Sequence, residues 1–156
     1  ETIATHNNIT LKRSERNSYG TDFDRDTYTC EVRDALIDHE IDLIAMAGFG
    51  TILNKPIYDD FSNRILNTHP SLLPSFPGWH AVEEALEYGV KVTGCTVHIA
   101  TEEVDAGPIL AQESIPVLKD DTKETLHERI KTVERQLYVD TINKIITTNG
   151  QIERDQ

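Results

Sequence analysis

The chain has 156 residues, of which 38% are hydrophobic, and its formal net charge is -12 at pH 7. That length supports one domain with a packed core and leaves little room for a second, so we expect a single domain over residues 1–150 and a frayed tail over 151–156. The acidic charge argues against non-specific binding to nucleic acid or to anionic membranes. An anionic substrate must therefore be held by local arginines, lysines or backbone amides.

Cysteine usage and the absence of targeting signals favour a cytoplasmic protein. Cys30 and Cys95 have no paired or metal-like spacing, and two isolated thiols suit a reducing compartment. The opening Glu1–His6 has neither the basic region nor the apolar core of a secretory signal. No apolar run approaches the length that a membrane span needs. We expect both thiols to be free and no membrane to be bound.

Hydrophobic spacing and turn residues divide the chain into strands and helices. In chain order we predict a strand near Thr5–Leu11, a helix from about Phe23 to His39 capped at Thr21–Asp22, a buried strand at Ile41–Ala47, a short helix from Pro56 to Phe61, a strand entering Asn67, a helix over Trp79–Tyr88, strands at Thr93–Ala100 and Ile109–Val117, and a long amphipathic helix from Thr122 that ends at Asn149–Gly150. This alternation indicates an α/β fold with a doubly wound, mostly parallel sheet.

The stretch Asn67–Gly78, Asn-Thr-His-Pro-Ser-Leu-Leu-Pro-Ser-Phe-Pro-Gly, carries the strongest chemical signal. It follows the apolar run Arg64–Leu66, which is typical of a buried strand. Because strand side chains alternate between faces, Asn67 and His69 should lie on one side and Thr68 on the other. Ligands of open α/β sheets bind at the carboxyl ends of strands. The pattern therefore indicates a reaction site, although a capped turn with a hydrogen-bonded histidine would give the same short Asn-x-His motif.

This stretch resembles the loop of the folate-dependent formyltransferases, and the similarity extends from Thr2 to about Ile146. The continuation Ser75–Ala81, Ser-Phe-Pro-Gly-Trp-His-Ala, is similar to the branch that formylates glycinamide ribonucleotide in purine synthesis. Relatives that formylate methionyl-tRNA usually carry an arginine-rich version. The resemblance implies a formyltransferase-like, Rossmann-like fold whose amino-terminal strand, glycine-rich turn and helix are missing. We therefore expect an exposed apolar edge on the Ile41–Ala47 strand. We also expect that these residues alone bind the nucleotide weakly and are inactive, or that a separate segment completes them.

The resemblance implies transfer of a formyl group from the co-substrate 10-formyltetrahydrofolate to the amine of glycinamide ribonucleotide. Asn67, His69 and Asp105 fall on the catalytic residues of the family. An asparagine amide can donate to a developing oxyanion, and a protonated histidine can stabilise the same oxygen and supply a proton. A carboxylate at Asp105, in the acidic Val-Asp-Ala-Gly-Pro loop, would favour the charged form of His69 and relay protons through water.

Further site residues are implied only by the resemblance. The formyl-folate pocket would be lined by Arg25, Gly50, Thr51, Ile52, Leu53, Asn67, Thr101, Glu102, Glu103, Val104 and Asp105. Glu134 would lie near the amine substrate. The family often has a bulky residue and an arginine where this chain has Gly50 and Thr51, so the shape of the folate pocket stays open.

Several of these residues also have an ordinary structural interpretation. Arg25 and Glu134 read in isolation as solvated charges on helix faces, and the loop around Asp105 as acidic surface. His98 either faces the site or is a hydrogen-bonded structural histidine.

Two other functions stay open at this point. The first is a formyltetrahydrofolate hydrolase, which uses the same trio and gives the formyl group to water. The second is a catalytically silent fragment that binds only folate or a partner chain. The six histidines and two cysteines show no ligand spacing, so we expect no metal. A monomer or a homodimer is equally compatible with the sequence.

Overall fold

The computed structural model describes residues 2–18 and 20–148 of the chain. In chain order these residues form α1 (Thr2–His6), α2 (Arg25–Asp38), β1 (Ile44–Ala45), α3 (Lys55–Asp60), β2 (Ile65–His69), α4 (Ala81–Tyr88), β3 (Val92–Ile99), β4 (Ile109–Pro116) and α5 (Lys123–Thr147). The predicted helix end at Asn149–Gly150 and the predicted tail over 151–156 lie outside the described residues.

The backbone contacts divide the chain into two compact units. The first unit comprises Glu1–Asp42 with Leu53–Ser62, and the second comprises Leu43–Ile52 with Asn63–Gln156. The single domain expected from the sequence stays a prediction.

The first unit is built around α2 and α3. The helix α2 is capped by Asp24, whose carboxylate accepts a hydrogen bond from the Thr27 amide at 3.0 Å. The predicted cap at Thr21–Asp22 was therefore wrong by one short turn, because Asp24 is the residue whose side chain reaches a free amide of the first turn. The backbone amide of Asn54, just before α3, donates to the Thr29 hydroxyl at 3.1 Å. This bond joins the two helices.

The predicted strand near Thr5–Leu11 is wrong. The amide of Asn7 bonds to the carbonyl of Ile3 at 3.0 Å, which continues the short helix α1. Leu11 is 56% exposed, and no strand among the described residues pairs with this segment. A strand needs a neighbour for its backbone hydrogen bonds, so local helical bonds prevail.

The second unit contains a four-stranded sheet in the order β1-β2-β3-β4. The pair β1–β2 is parallel, whereas β2–β3 and β3–β4 are antiparallel. The α/β class is confirmed, and the mostly parallel sheet is corrected to a mixed one in the described residues. A loop without a crossover helix joins β3 to β4, and such a connection returns the chain antiparallel. The strand β1 is shorter than predicted and lies at the edge of this sheet.

The long helix α5 covers one face of the sheet. It begins with a capping box, in which the Thr122 hydroxyl accepts from the Thr125 amide and the Thr125 hydroxyl accepts from the Thr122 amide. Two buried clusters then join it to the sheet: Val82, Cys95, Leu126 and Ile130 in one, and Leu66, Ile99 and Ile145 in the other. Since alternate strand residues face opposite sides, the intervening polar residues of β2 and β3 lie on the other face of the sheet.

Both cysteines are free thiols, as predicted. Within residues 2–18 and 20–148, no helix combines the length and the apolar character that crossing a membrane requires.

Candidate active site

The strand β2 places Asn67 and His69 on the same face of the sheet, as predicted. Asn67 is opposite His98 on the antiparallel neighbour β3, and His69 is opposite Thr96. These four polar side chains therefore share one patch of the sheet. His69 is 4% exposed, so the imidazole is enclosed by the protein.

Both ring nitrogens of His69 face hydrogen-bond acceptors. Nδ1 lies 3.2 Å from Oδ2 of Asp105, and Nε2 lies 2.7 Å from the carbonyl oxygen of Phe76. A carbonyl and an ionised carboxylate can only accept, whereas the protonated imidazole donates from both nitrogens. Each ring nitrogen of His69 therefore has an acceptor within reach of a proton that it carries.

The carboxylate of Asp105 is the point where the site residues meet. Oδ2 accepts from the Gly78 amide at 2.8 Å in addition to its contact with His69, and Oδ1 lies 3.6 Å from Nε2 of His98. The side chain is only 7% exposed. Asp105 also has a φ of 56°, a left-handed conformation that costs a non-glycine residue about 1–3 kcal/mol when the surroundings impose it. The loop thus holds a strained residue in place with its carboxylate aimed at the histidines.

The loop after His69 is fixed by hydrogen bonds from the sheet. The Thr96 hydroxyl donates to the Ser71 carbonyl at 2.7 Å and accepts from the Leu73 amide at 3.1 Å. The Ser71 hydroxyl in turn donates to the Ser75 carbonyl. These bonds shape the turn that presents the Phe76 carbonyl to His69.

His98 is a buried member of the same cluster. Nδ1 lies 3.0 Å from the carbonyl oxygen of Ile99, and Nε2 lies 3.4 Å from Nδ2 of Asn67. Burial lowers the pKa of His98, and the bond to Ile99 and the charge of Asp105 offset this only in part. A register shift between Val97 and His98 is the kind of bulge that re-aims side chains beside functional sites. His98 is thus both a hydrogen-bonded buried histidine and a member of the candidate site.

Glu134 lies on α5, against the other face of β2. Burial raises the pKa of its carboxyl group, while a hydrogen bond with the Thr68 side chain and the charge of His69 act in the opposite direction. Glu134 is therefore a half-buried acid linked to the strand that carries Asn67 and His69, and not a freely solvated helix charge.

The other residues assigned to the folate pocket belong to several segments of the chain. Thr101–Asp105 forms the loop after β3, in which the Thr101 hydroxyl donates to the Glu103 carbonyl at 2.9 Å. Gly50 lies against the ring of Trp79, whose nearest atom would be 3.0 Å from a Cβ at that glycine. Arg25, at the start of α2, and Leu53 belong to the first unit, and their part in a folate pocket stays a prediction, as does that of Thr51 and Ile52.

A family model described as formyl transferase matches residues 2–142, a span that contains every residue of this cluster. The chain belongs to the formyl transferase family.

Relatives and solved structures of this family show where the similarity lies. A phosphoribosylglycinamide formyltransferase of Mycobacterium tuberculosis is 51% identical over 123 residues, which cover 79% of this chain and 57% of that protein. The crystal structure of phosphoribosylglycinamide formyltransferase from Bacillus halodurans superposes with a TM-score of 0.85 at 34% identity, covering 98% of this chain and 78% of its own. A formyltetrahydrofolate deformylase from Pseudomonas syringae pv. tomato gives 0.81 at 26% identity, with 90% and 46% covered. The chain thus spans 57% of the length of its curated mycobacterial relative.

The sequence did not predict two of the hydrogen-bonding groups in the cluster around His69 and Asp105. Both are main-chain groups: the Phe76 carbonyl that faces His69 and the Gly78 amide that binds Asp105. The Pro-Ser-Phe-Pro-Gly sequence predicts an irregular loop, but side-chain identity carries no signal for the direction of a carbonyl or an amide.

The described residues hold no group of three histidines, cysteines or acids that could bind a metal, and the expected absence of a metal stays a prediction.

Proposed function

We propose that this chain carries the formyl-transfer site of an enzyme that moves the formyl group of 10-formyltetrahydrofolate to the primary amine of glycinamide ribonucleotide. The observation that supports this most is the contact between the His69 imidazole and the Asp105 carboxylate, beside Asn67 on the same strand face. Formyl transfer needs a donor to an oxyanion, a nearby positive charge and a route for protons. These three side chains provide them within one enclosed cluster.

In the proposed reaction the amine nitrogen attacks the formyl carbon, and negative charge develops on the formyl oxygen. Asn67 donates an amide hydrogen bond to that oxygen, and the positive charge of His69 stabilises it. The bond between the formyl carbon and the folate nitrogen then breaks. The proton released by the amine reaches the leaving nitrogen through water held by Asp105.

The substrates would approach this cluster from different sides. The loop Thr101–Asp105 would form one wall for the formyl-folate, together with Asn67 and the other pocket residues named from the family resemblance. By the family resemblance, Glu134 would lie near the amine of the second substrate and accept a hydrogen bond from it. Because its carboxyl group is half-buried and linked to β2 through Thr68, it can do so from a fixed position. We place the reaction in the cytoplasm, consistent with the two free thiols.

Hydrolysis of the formyl-folate is the second candidate, and one observation favours it. The deformylase of Pseudomonas syringae pv. tomato has the same fold as this chain, with a TM-score of 0.81. The higher identity to the mycobacterial formyltransferase, 51% over 123 residues, makes transfer to the amine the better supported proposal.

The deciding experiment uses a chain completed with the family's amino-terminal strand, glycine-rich turn and helix, as do all turnover measurements described below. It compares the consumption of formyl-folate with and without glycinamide ribonucleotide, followed by the change in folate absorbance. The proposed function predicts turnover only when the amine is present, with one formylated amine formed for each folate released. Amine-independent turnover would establish the hydrolase instead. Folate binding without turnover in either mixture would leave a binding module.

A further inference from the structure

The orientation of the Asn67 amide is decided by a neighbour that the proposed chemistry does not use. Two groups of an asparagine amide, the NH₂ and the oxygen, have nearly the same shape, so only hydrogen bonding fixes which way the amide points. Nδ2 of Asn67 lies 3.4 Å from Nε2 of His98, which is 1% exposed. The protonation of His98 therefore determines whether this contact holds the amide or opposes it.

The backbone around His98 allows only one neutral tautomer. Nδ1 lies 3.0 Å from the carbonyl oxygen of Ile99, and a carbonyl oxygen only accepts, so Nδ1 carries the proton. Nε2 then has a free lone pair. Burial also lowers the pKa of His98, which favours this neutral form.

We propose that His98 is a positioning residue, whose Nε2 lone pair accepts a hydrogen bond from Asn67 Nδ2 and so holds the amide with its second N–H free for the substrate oxygen. This inference rests on the proposed function, since it explains how the oxyanion donor is oriented. If the amide turned over, its oxygen would face the lone pair of His98 and would repel it. The turned amide would also present an oxygen instead of a donor to the developing negative charge.

The position of the Asp105 carboxylate is compatible with this orientation of the Asn67 amide. Oδ1 of Asp105 lies 3.6 Å from Nε2 of His98, beyond the reach of a normal hydrogen bond. Oδ2 of the same carboxylate contacts His69 and the amide of Gly78. Asp105 is thus held by other donors, and Nε2 of His98 stays available to Asn67.

Two substitutions separate the positioning role from simple packing. In His98→Gln the side-chain oxygen reaches the place of Nε2 and can accept from Asn67, whereas in His98→Asn the side chain ends at the depth of Nδ1. We expect His98→Asn to lower kcat by about tenfold, a smaller decrease than removal of the Asn67 donor itself would cause. KM for both substrates should stay nearly unchanged. His98→Gln should recover most of that loss. His80→Asn, at an exposed histidine paired with Glu83, is the control and should leave kcat unchanged.

Nitrogen NMR of the wild-type protein tests the tautomer without any turnover. The inference predicts a proton on Nδ1 of His98 and a bare Nε2. A proton on Nε2, or equal kcat values for His98→Gln and His98→Asn in folded proteins, would overturn it. Failure of the proposed function has a different signature, namely no formyl transfer by the wild type while the His98 tautomer is as predicted.

Discussion

Gly107 packs its α-carbon directly against the carbonyl oxygen of Ile99. A Cβ at this glycine would lie 1.8 Å from that oxygen, which is far inside van der Waals contact. Both residues flank the loop that carries Asp105, since Ile99 ends β3 and Gly107 precedes β4. The close approach of the two backbones therefore closes the loop and sets the place from which Asp105 reaches His69.

Gly107→Ala should destabilise the protein by about 1–3 kcal/mol, because the clash is with backbone and cannot be relieved by a rotamer change. The displaced loop should also lower turnover. Gly20→Ala is the control, since nothing lies within 4 Å of a Cβ at Gly20, and its stability should stay within about 0.5 kcal/mol. Denaturant unfolding measures both. Equal stability of the two variants would contradict the packing that we describe.

Asp105→Asn should remove the charge of the side chain while keeping its shape. The amide oxygen can still accept from Gly78, so the melting temperature should change little. Turnover should fall by about 100-fold or more if proton transfer depends on the carboxylate. The exposed carboxylate of Glu87 on α4 offers the control Glu87→Gln. Wild-type turnover in Asp105→Asn would reject the pairing with His69 as part of the reaction.

The sequence predicts those features of the site that depend on neighbouring residues in the chain better than those that depend on distant ones. The alternation of strand side chains is local, and it correctly placed Asn67 and His69 together. The family resemblance supplied Asp105, and the structure brings its carboxylate to His69. The direction of the Phe76 carbonyl could not be predicted, because it depends on the conformation of a loop in which Phe76 has a φ of 52°.

The errors in the predicted fold have a similar origin. The strand near Thr5–Leu11 was inferred from the spacing of apolar residues, but that spacing does not show whether a partner strand exists. The mostly parallel sheet was inferred from the alternation of strands and helices. The antiparallel pairing of β3 and β4 instead follows from the loop that joins them without a crossover helix. The long helix α5 was predicted better, because its capping and periodicity act within the helix itself.

Thr93 and Thr96 provide a matched test of buried hydroxyl groups on β3. Among the described residues nothing hydrogen-bonds to the buried Thr93 hydroxyl, whereas the Thr96 hydroxyl bonds to Ser71 and Leu73. Thr93→Val should therefore stabilise the protein by about 1 kcal/mol, and Thr96→Val should destabilise it by about 1–3 kcal/mol. Unfolding free energies that shift in the same direction for both would contradict this assignment.

Glu134→Gln should stabilise the protein at neutral pH. Burial raises the pKa of Glu134, so the folded protein binds this proton more tightly than the unfolded chain does. Stability from this group is then greatest at low pH and falls as the pH rises through the raised pKa. The gain from Glu134→Gln should accordingly appear at neutral pH and vanish in acid. Melting temperatures across that range measure it, and a pH-independent difference would refute the linkage. Turnover should fall in the same variant, since the negative charge beside the amine is lost.

The central claim, that Asn67 and His69 stabilise the developing oxyanion, is tested most directly by single-turnover formyl transfer at saturating substrates. The account predicts that Asn67→Ala and His69→Ala each slow the formation of formylated glycinamide ribonucleotide by about 100- to 1,000-fold. Affinity for the formyl-folate, measured by calorimetry, should stay close to that of the wild type. A wild-type transfer rate in either variant, or a loss confined to folate affinity, would contradict the account.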